Sequence, residues 1–162
     1  MNTLHADAAN EIPIAHYLNT RYAYCPSFAS DGQRVAFLTD ITGAPQAWQV
    51  SYDPSSEAPG WPDQLTFEAD RVMGIWCSPA PGDDRLIHTP DVGGNENAQI
   101  YLYDPAQGNH RSLTAGREGA MHIFGEWSRD AARILFAANR RDPGLFDLYL
   151  QPLDGAARLV WE

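Results

Sequence analysis

The stretch Phe28-Ala29-Ser30-Asp31-Gly32-Gln33-Arg34-Val35-Ala36-Phe37 has two counterparts further along the chain. One is Trp127-Ser128-Arg129-Asp130-Ala131-Ala132-Arg133-Ile134-Leu135-Phe136. The other runs from Trp76-Cys77-Ser78-Pro79 to Arg85-Leu86-Ile87-His88. The anchors Phe28, Trp76 and Trp127 fall 48 and 51 residues apart, and Arg34, Arg85 and Arg133 fall 51 and 48 apart. Each copy sets an aromatic residue before a turn and an apolar run after it, the pattern of two strands joined by a hairpin. In the first copy the turn is Ser30-Asp31-Gly32, where Asp bonds nearby backbone and Gly accepts a positive φ.

Further landmarks keep the same offset. Trp48, Tyr101 and Tyr149 are spaced 53 and 48. They sit in Gln46-Ala47-Trp48, Gln99-Ile100-Tyr101 and Asp147-Leu148-Tyr149. Leu65-Thr66 recurs as Leu113-Thr114 after 48 residues, and as a degraded Leu159-Val160 after 46 more. The second copy holds four strand-like runs, at 72–77, 85–90, 98–103 and 110–114, with Gly, Asp, Asn and Pro at the joints. Four strands per repeat of this length define a propeller blade. The expected fold class is all-β. It is a partial β-propeller of three four-stranded antiparallel blades of about 47 residues each, at 22–70, 71–119 and 120–162, behind a lead-in segment 1–21. Residues 11–18 read as a single helical turn or a loose strand. A four-stranded sheet this small cannot bury both faces alone. Phe28, Trp76 and Trp127 are therefore expected between stacked sheets, together with Val35, Phe37, Ile134 and Phe136. Trp48, Trp61 and Trp161 are expected to pack between blades as well. Propellers close with about four to eight blades. Three blades leave two apolar faces open, so the expectation is either the front of a longer protein or a self-associating subunit.

Composition removes several function classes. Eleven cations, all Arg, face 21 Asp and Glu, for a formal charge of −10. Such a surface lacks the electrostatic footprint of a nucleic-acid binder and the basic patch of a membrane binder. Without Lys there is no Schiff-base chemistry and no Gly-Lys-Ser/Thr phosphate loop. No apolar run approaches the roughly 20 residues of a spanning helix. Residues 1–9 lack a signal-peptide pattern, so the chain reads as cytoplasmic, and Cys25 and Cys77 read as free thiols.

Asp91-Val92-Gly93-Gly94-Asn95-Glu96-Asn97-Ala98-Gln99-Ile100-Tyr101-Leu102 resembles a motif in the N-terminal β-propeller of the prolyl oligopeptidase family of serine peptidases, in its acylaminoacyl-peptidase and dipeptidyl-peptidase-like branch. Phe124-Gly125-Glu126-Trp127-Ser128-Arg129-Asp130 resembles the next blade's opening. Ala138-Asn139-Arg140-Arg141-Asp142-Pro143-Gly144-Leu145-Phe146-Asp147-Leu148-Tyr149 resembles that blade's second hairpin. The likeness covers about residues 14–162, the first three blades only. The Ser-Asp-Gly and Leu-Thr landmarks are shared with TolB-like propellers. The family implies a propeller cap that filters substrates by size above an α/β-hydrolase domain bearing the catalytic triad. This sequence contains no Gly-x-Ser-x-Gly nucleophile elbow. The resemblance therefore implies a non-catalytic part whose partners are further blades, a hydrolase domain and passing peptides. The alternative is a free-standing TolB-like or WD-repeat-like interaction module, two copies closing one ring.

Candidate sites are few. Glu96 and Asn97, in the Gly-rich loop, read as a tight turn or as a peptide-facing or domain-facing surface. Arg140, with Arg141, reads as a solvated hairpin tip or as a partner for carboxylates in the same blade or across a domain joint, which would make Arg140 peptide-facing or domain-facing. Phe28, Asp31, Gly32, Arg34, Trp48, Trp76, Arg85, Tyr101, Trp127, Arg133 and Tyr149 define the repeat and read as structural. No catalytic residue, cofactor site or metal site is expected. His5, His16, His88, His110 and His122 show no metal-ligand spacing, and His88 takes the place of Phe37 and Phe136 as a packed strand residue.

Overall fold

The computed structural model describes residues 14, 20–53, 55 and 60–162. The reading of 11–18 as a turn or strand, and most of the lead-in 1–21, lie outside the described residues. Among the described residues twelve strands follow in order. β1 (Ala23–Phe28), β2 (Arg34–Thr39), β3 (Gln46–Ser51) and β4 (Asp63–Gln64) make the first sheet. β5 (Val72–Cys77), β6 (Leu86–Pro90), β7 (Tyr101–Asp104) and β8 (Asn109–Ser112) make the second. β9 (His122–Trp127), β10 (Arg133–Asp142), β11 (Leu145–Pro152) and β12 (Arg158–Trp161) make the third. Each is a four-stranded antiparallel meander in sequence order. This is the architecture of a partial β-propeller with three blades.

Two apolar seams hold the blades together. Ala36, Leu38 and Ala47 of the first blade meet Val72, Ile75 and Leu86 of the second. Ile87, Ile100 and Leu102 of the second meet Phe124, Trp127, Ile134 and Phe136 of the third. Leu86 and Ile87 are neighbours in β6 yet serve different seams, because successive strand residues point to opposite faces. β6 is consequently buried at every position, whereas β10 alternates.

The hairpin between strands one and two closes identically in all three blades: the N–H groups of Ala29, Ser78 and Ser128 donate to the carbonyls of Arg34, Arg85 and Arg133 at 2.9 Å. This register corrects the sequence alignment. Cys77, not Trp76, is the counterpart of Phe28 and Trp127, since Cys77 stands opposite Leu86 as Phe28 does Val35 and Trp127 does Ile134. The longer turn of the second blade allowed the one-residue slip. Trp76 instead folds its ring back over Gly74 and meets the Phe124 ring at 4.6 Å.

A second correction concerns burial. Trp127 is buried, but Phe28 is 67% exposed, and Val35 and Phe37 are only half-buried where Ile134 and Phe136 are buried. These residues lie on the face of the first blade that points away from the second, where none of the described sheets covers them. Trp61 (84% exposed) and Trp161 (65%) likewise fail to pack between blades. Trp161 lies opposite Leu148 on the outer face of the third blade, and Trp61 sits in the connection before β4.

Polar contacts repeat across the seams. Cys77 Sγ donates to the Ser27 carbonyl at 3.6 Å, and Trp127 Nε1 donates to the equivalent Trp76 carbonyl at 3.2 Å. The N–H groups of Val72 and His122 donate to the carbonyls of Pro45 and Ala98 at 2.8 and 3.0 Å. Within a blade, Thr66 and Thr114 explain the Leu-Thr landmark. Each hydroxyl accepts the Ala47 or Ile100 N–H and donates to Gln46 or Gln99 Oε1, at 2.9 and 2.8 Å, all of it buried. Both hydroxyl and amide are therefore satisfied in the interior, where an unpaired group would cost about 1–3 kcal/mol.

Candidate functional site

The loop from β6 to β7 is built on a buried carboxylate. Asp91 accepts Arg71 Nε at 3.2 Å and the Glu96 N–H at 3.1 Å, while Asp70 accepts the Gly93 N–H at 2.7 Å. Three residues take left-handed backbone: Gly93 (φ 63°), Gly94 (φ 69°) and Glu96 (φ 61°). For Gly this is free; for Glu96 it costs about 1 kcal/mol or more. The bond from its N–H to Asp91 holds that conformation and leaves the Glu96 side chain exposed. The Asn97 N–H donates to Asn95 Oδ1, and its carbonyl accepts Gln99 Nε2.

Arg140 leaves the solvent-tip reading behind. It lies half-buried on β10, with its guanidinium over the rings of Phe136 and Tyr149 at 4.9 and 4.8 Å. Its Nε donates to His122 Nε2 at 3.0 Å. Burial, then the positive charge of Arg140, pushes His122 down to about 4, so the ring accepts as a neutral imidazole. The His122 N–H in turn donates to the carbonyl of Ala98, the residue after Asn97. Arg140 and the Glu96 loop are thus joined through His122 across the second seam. Arg141 pairs with carboxylates instead, donating to both Asp147 oxygens at 2.6 and 2.7 Å and reaching Glu162 at 3.2 Å.

The recurrent arginines lie at the hairpins between strands one and two. Arg34 bonds Asp31 and also Asp84 of the next blade; Arg85 bonds Asp83 and reaches the Ala131 carbonyl at 3.4 Å; Arg133 pairs with Asp130 at 3.9 Å. Gly32 turns its hairpin at φ 67°, and Ala131 takes the matching place at φ 50°. Trp48, Tyr101 and Tyr149 stand opposite Phe37, His88 and Phe136 on the middle strands.

One convergence escaped sequence reasoning. Glu68 (after β4), His88 (β6) and His110 (β8) each bring one ligand atom within 4.8 Å of the others. No short spacing signals it, because three separate segments supply the groups; only the substitution of His88 for the Phe of its sister blades marks the position.

No family model matches the chain. The chain is 25% identical over 133 residues to dipeptidyl aminopeptidase BIII of Pseudoxanthomonas mexicana, a match covering 82% of this chain and 18% of that protein. Among solved structures it is similar to TolB of Acinetobacter baumannii, at 24% identity and a TM-score of 0.63, over 85% of this chain and 32% of that one. It is also similar to the β-propeller domain of the trilobed protease of Pyrococcus furiosus, at 15% identity and a TM-score of 0.57, over 86% and 43%. The chain is therefore similar to part of a propeller from prolyl-oligopeptidase-type peptidases, and to TolB-like propellers in fold.

Proposed function

We propose that the chain supplies the opening blades of a propeller cap that walls the way into a serine peptidase of the prolyl oligopeptidase type, admitting peptides and turning folded proteins away. The likeness to a dipeptidyl aminopeptidase, along only 18% of that protein's length, carries the reading. In it the partners are further blades and an α/β-hydrolase domain, working in the cytoplasm. The Glu96 loop, tied through His122 to Arg140, offers a carboxylate and a cation towards peptide or domain. The test is turnover. The purified 162-residue chain should leave peptidyl chromogenic substrates intact; hydrolysis blocked by a serine-directed inhibitor would refute a non-catalytic cap. In a full-length relative, Ala in place of the residue matching Glu96 should raise the peptide KM, and an unchanged KM and melting temperature would remove that loop from the mechanism.

The likeness to TolB favours a second reading, a free-standing interaction module. Two copies of three blades make six, inside the closing range of about four to eight. Light scattering separates the two: a compact dimer supports the module, and a monomer or open aggregate supports the cap.

A further inference from the structure

Three donors meet beside the first seam. Glu68 follows the outer strand of the first blade, and its backbone is clamped: its N–H donates to Gln46 Oε1 at 3.0 Å and its carbonyl accepts Gln46 Nε2 at 3.2 Å. His88 is 0% exposed, and its ring lies 5.4 Å from that of Tyr101. His110 is stacked on Tyr103 at 4.6 Å and is open to solvent.

The hydrogen bonds leave one nitrogen without a partner. His110 Nδ1 lies 2.9 Å from His88 Nε2. A cation takes the place of this contact, so that each of the three side chains offers it one ligand atom. His88 Nδ1 is buried with no hydrogen-bond partner. A carboxylate oxygen, Glu68 Oε1, lies 3.9 Å from it. A buried ring nitrogen without a partner, beside a carboxylate and a second imidazole, is matched by a cation among them. Two imidazoles and a carboxylate are a ligand set for zinc and its first-row neighbours, and poor for magnesium or calcium, which prefer all-oxygen sites.

We propose that Glu68, His88 and His110 bind a divalent transition-metal cation of the zinc class, which staples the exit of the first blade to the second. Three protein ligands leave a fourth position for water on the open His110 side.

The experiment is calorimetric titration of the untagged full chain with zinc sulfate, repeated with cobalt to read tetrahedral absorption bands. One saturable equivalent is expected, with a rise in melting temperature that EDTA reverses. His88→Phe copies the residue of the sister blades, so its fold should survive by circular dichroism while the tight site disappears. Glu68→Gln and His110→Ala should each weaken binding at least about tenfold. The proposal is overturned if the wild-type chain takes up no zinc, or if His88→Phe and His110→Ala bind it as tightly as wild type.

Discussion

Gly74 shows how much a single missing side chain can do. A Cβ built there would lie 2.3 Å from the Trp76 ring, so only glycine lets that ring fold back and meet Phe124. Gly74→Ala should expel the ring from the seam and cost about 1–3 kcal/mol, as overpacked cores do. Urea unfolding gives the cost, and a red shift in tryptophan emission gives the displacement; no change in either would mean that the ring has another resting place. His122 sets an acid limit. Its pKa is near 6.5 in an unfolded chain and about 4 when folded. Between these values the unfolded chain binds a proton that the folded one refuses. Its contribution to stability is therefore intact above about 6.5 and lost as pH falls towards 4. Unfolding midpoints across this window should fall less steeply for His122→Gln than for wild type. At this scale the sequence was half legible. Leu-Thr was visible as a landmark, but its partner Gln46 or Gln99 lies more than a dozen residues away, and nothing local says the two hydroxyls hold them. The Glu68, His88 and His110 group was invisible for the same reason.

The strands were far more legible, since alternation, turn chemistry and a shared offset all point one way. The second blade's runs at 72–77 and 85–90 nearly coincide with β5 and β6. The slip of Trp76 against Cys77 arose because an extended hairpin moves the register by one, and a one-residue slip turns a side chain to the opposite face. Each blade has the same two faces, yet among the described residues only the second blade has both covered by a sheet. Amide exchange should accordingly be slowest in β6, buried at every position, and faster in β2 and β10 although they are equally central in their own sheets. Equal protection across the three strands would show that the seams contribute little beyond each sheet's own hydrogen bonds.

Across the whole molecule, the two seams fix what the outer faces require. On the third blade Ile123, Leu135, Leu148, Leu150 and Trp161 share one face by register. Their counterparts Ile87, Ile100 and Leu102 are buried in the second blade, while Ile123 remains 50% exposed and Trp161 more so. This face is ready for a sheet of the kind that covers its neighbour. In the isolated chain it should drive self-association. Ile123→Glu should lower the average mass by light scattering without lowering the melting temperature; an unchanged mass would place the contact elsewhere.

The repeated seam bonds have a consequence for growth. Cys77 and Trp127 each reach back to the carbonyl one blade earlier, a contact that depends on backbone and not on the partner's side chain. A joint made largely to backbone lets units be duplicated in tandem and then diverge freely at their loops. A lineage can in this way lengthen the ring first and find uses for each new unit afterwards.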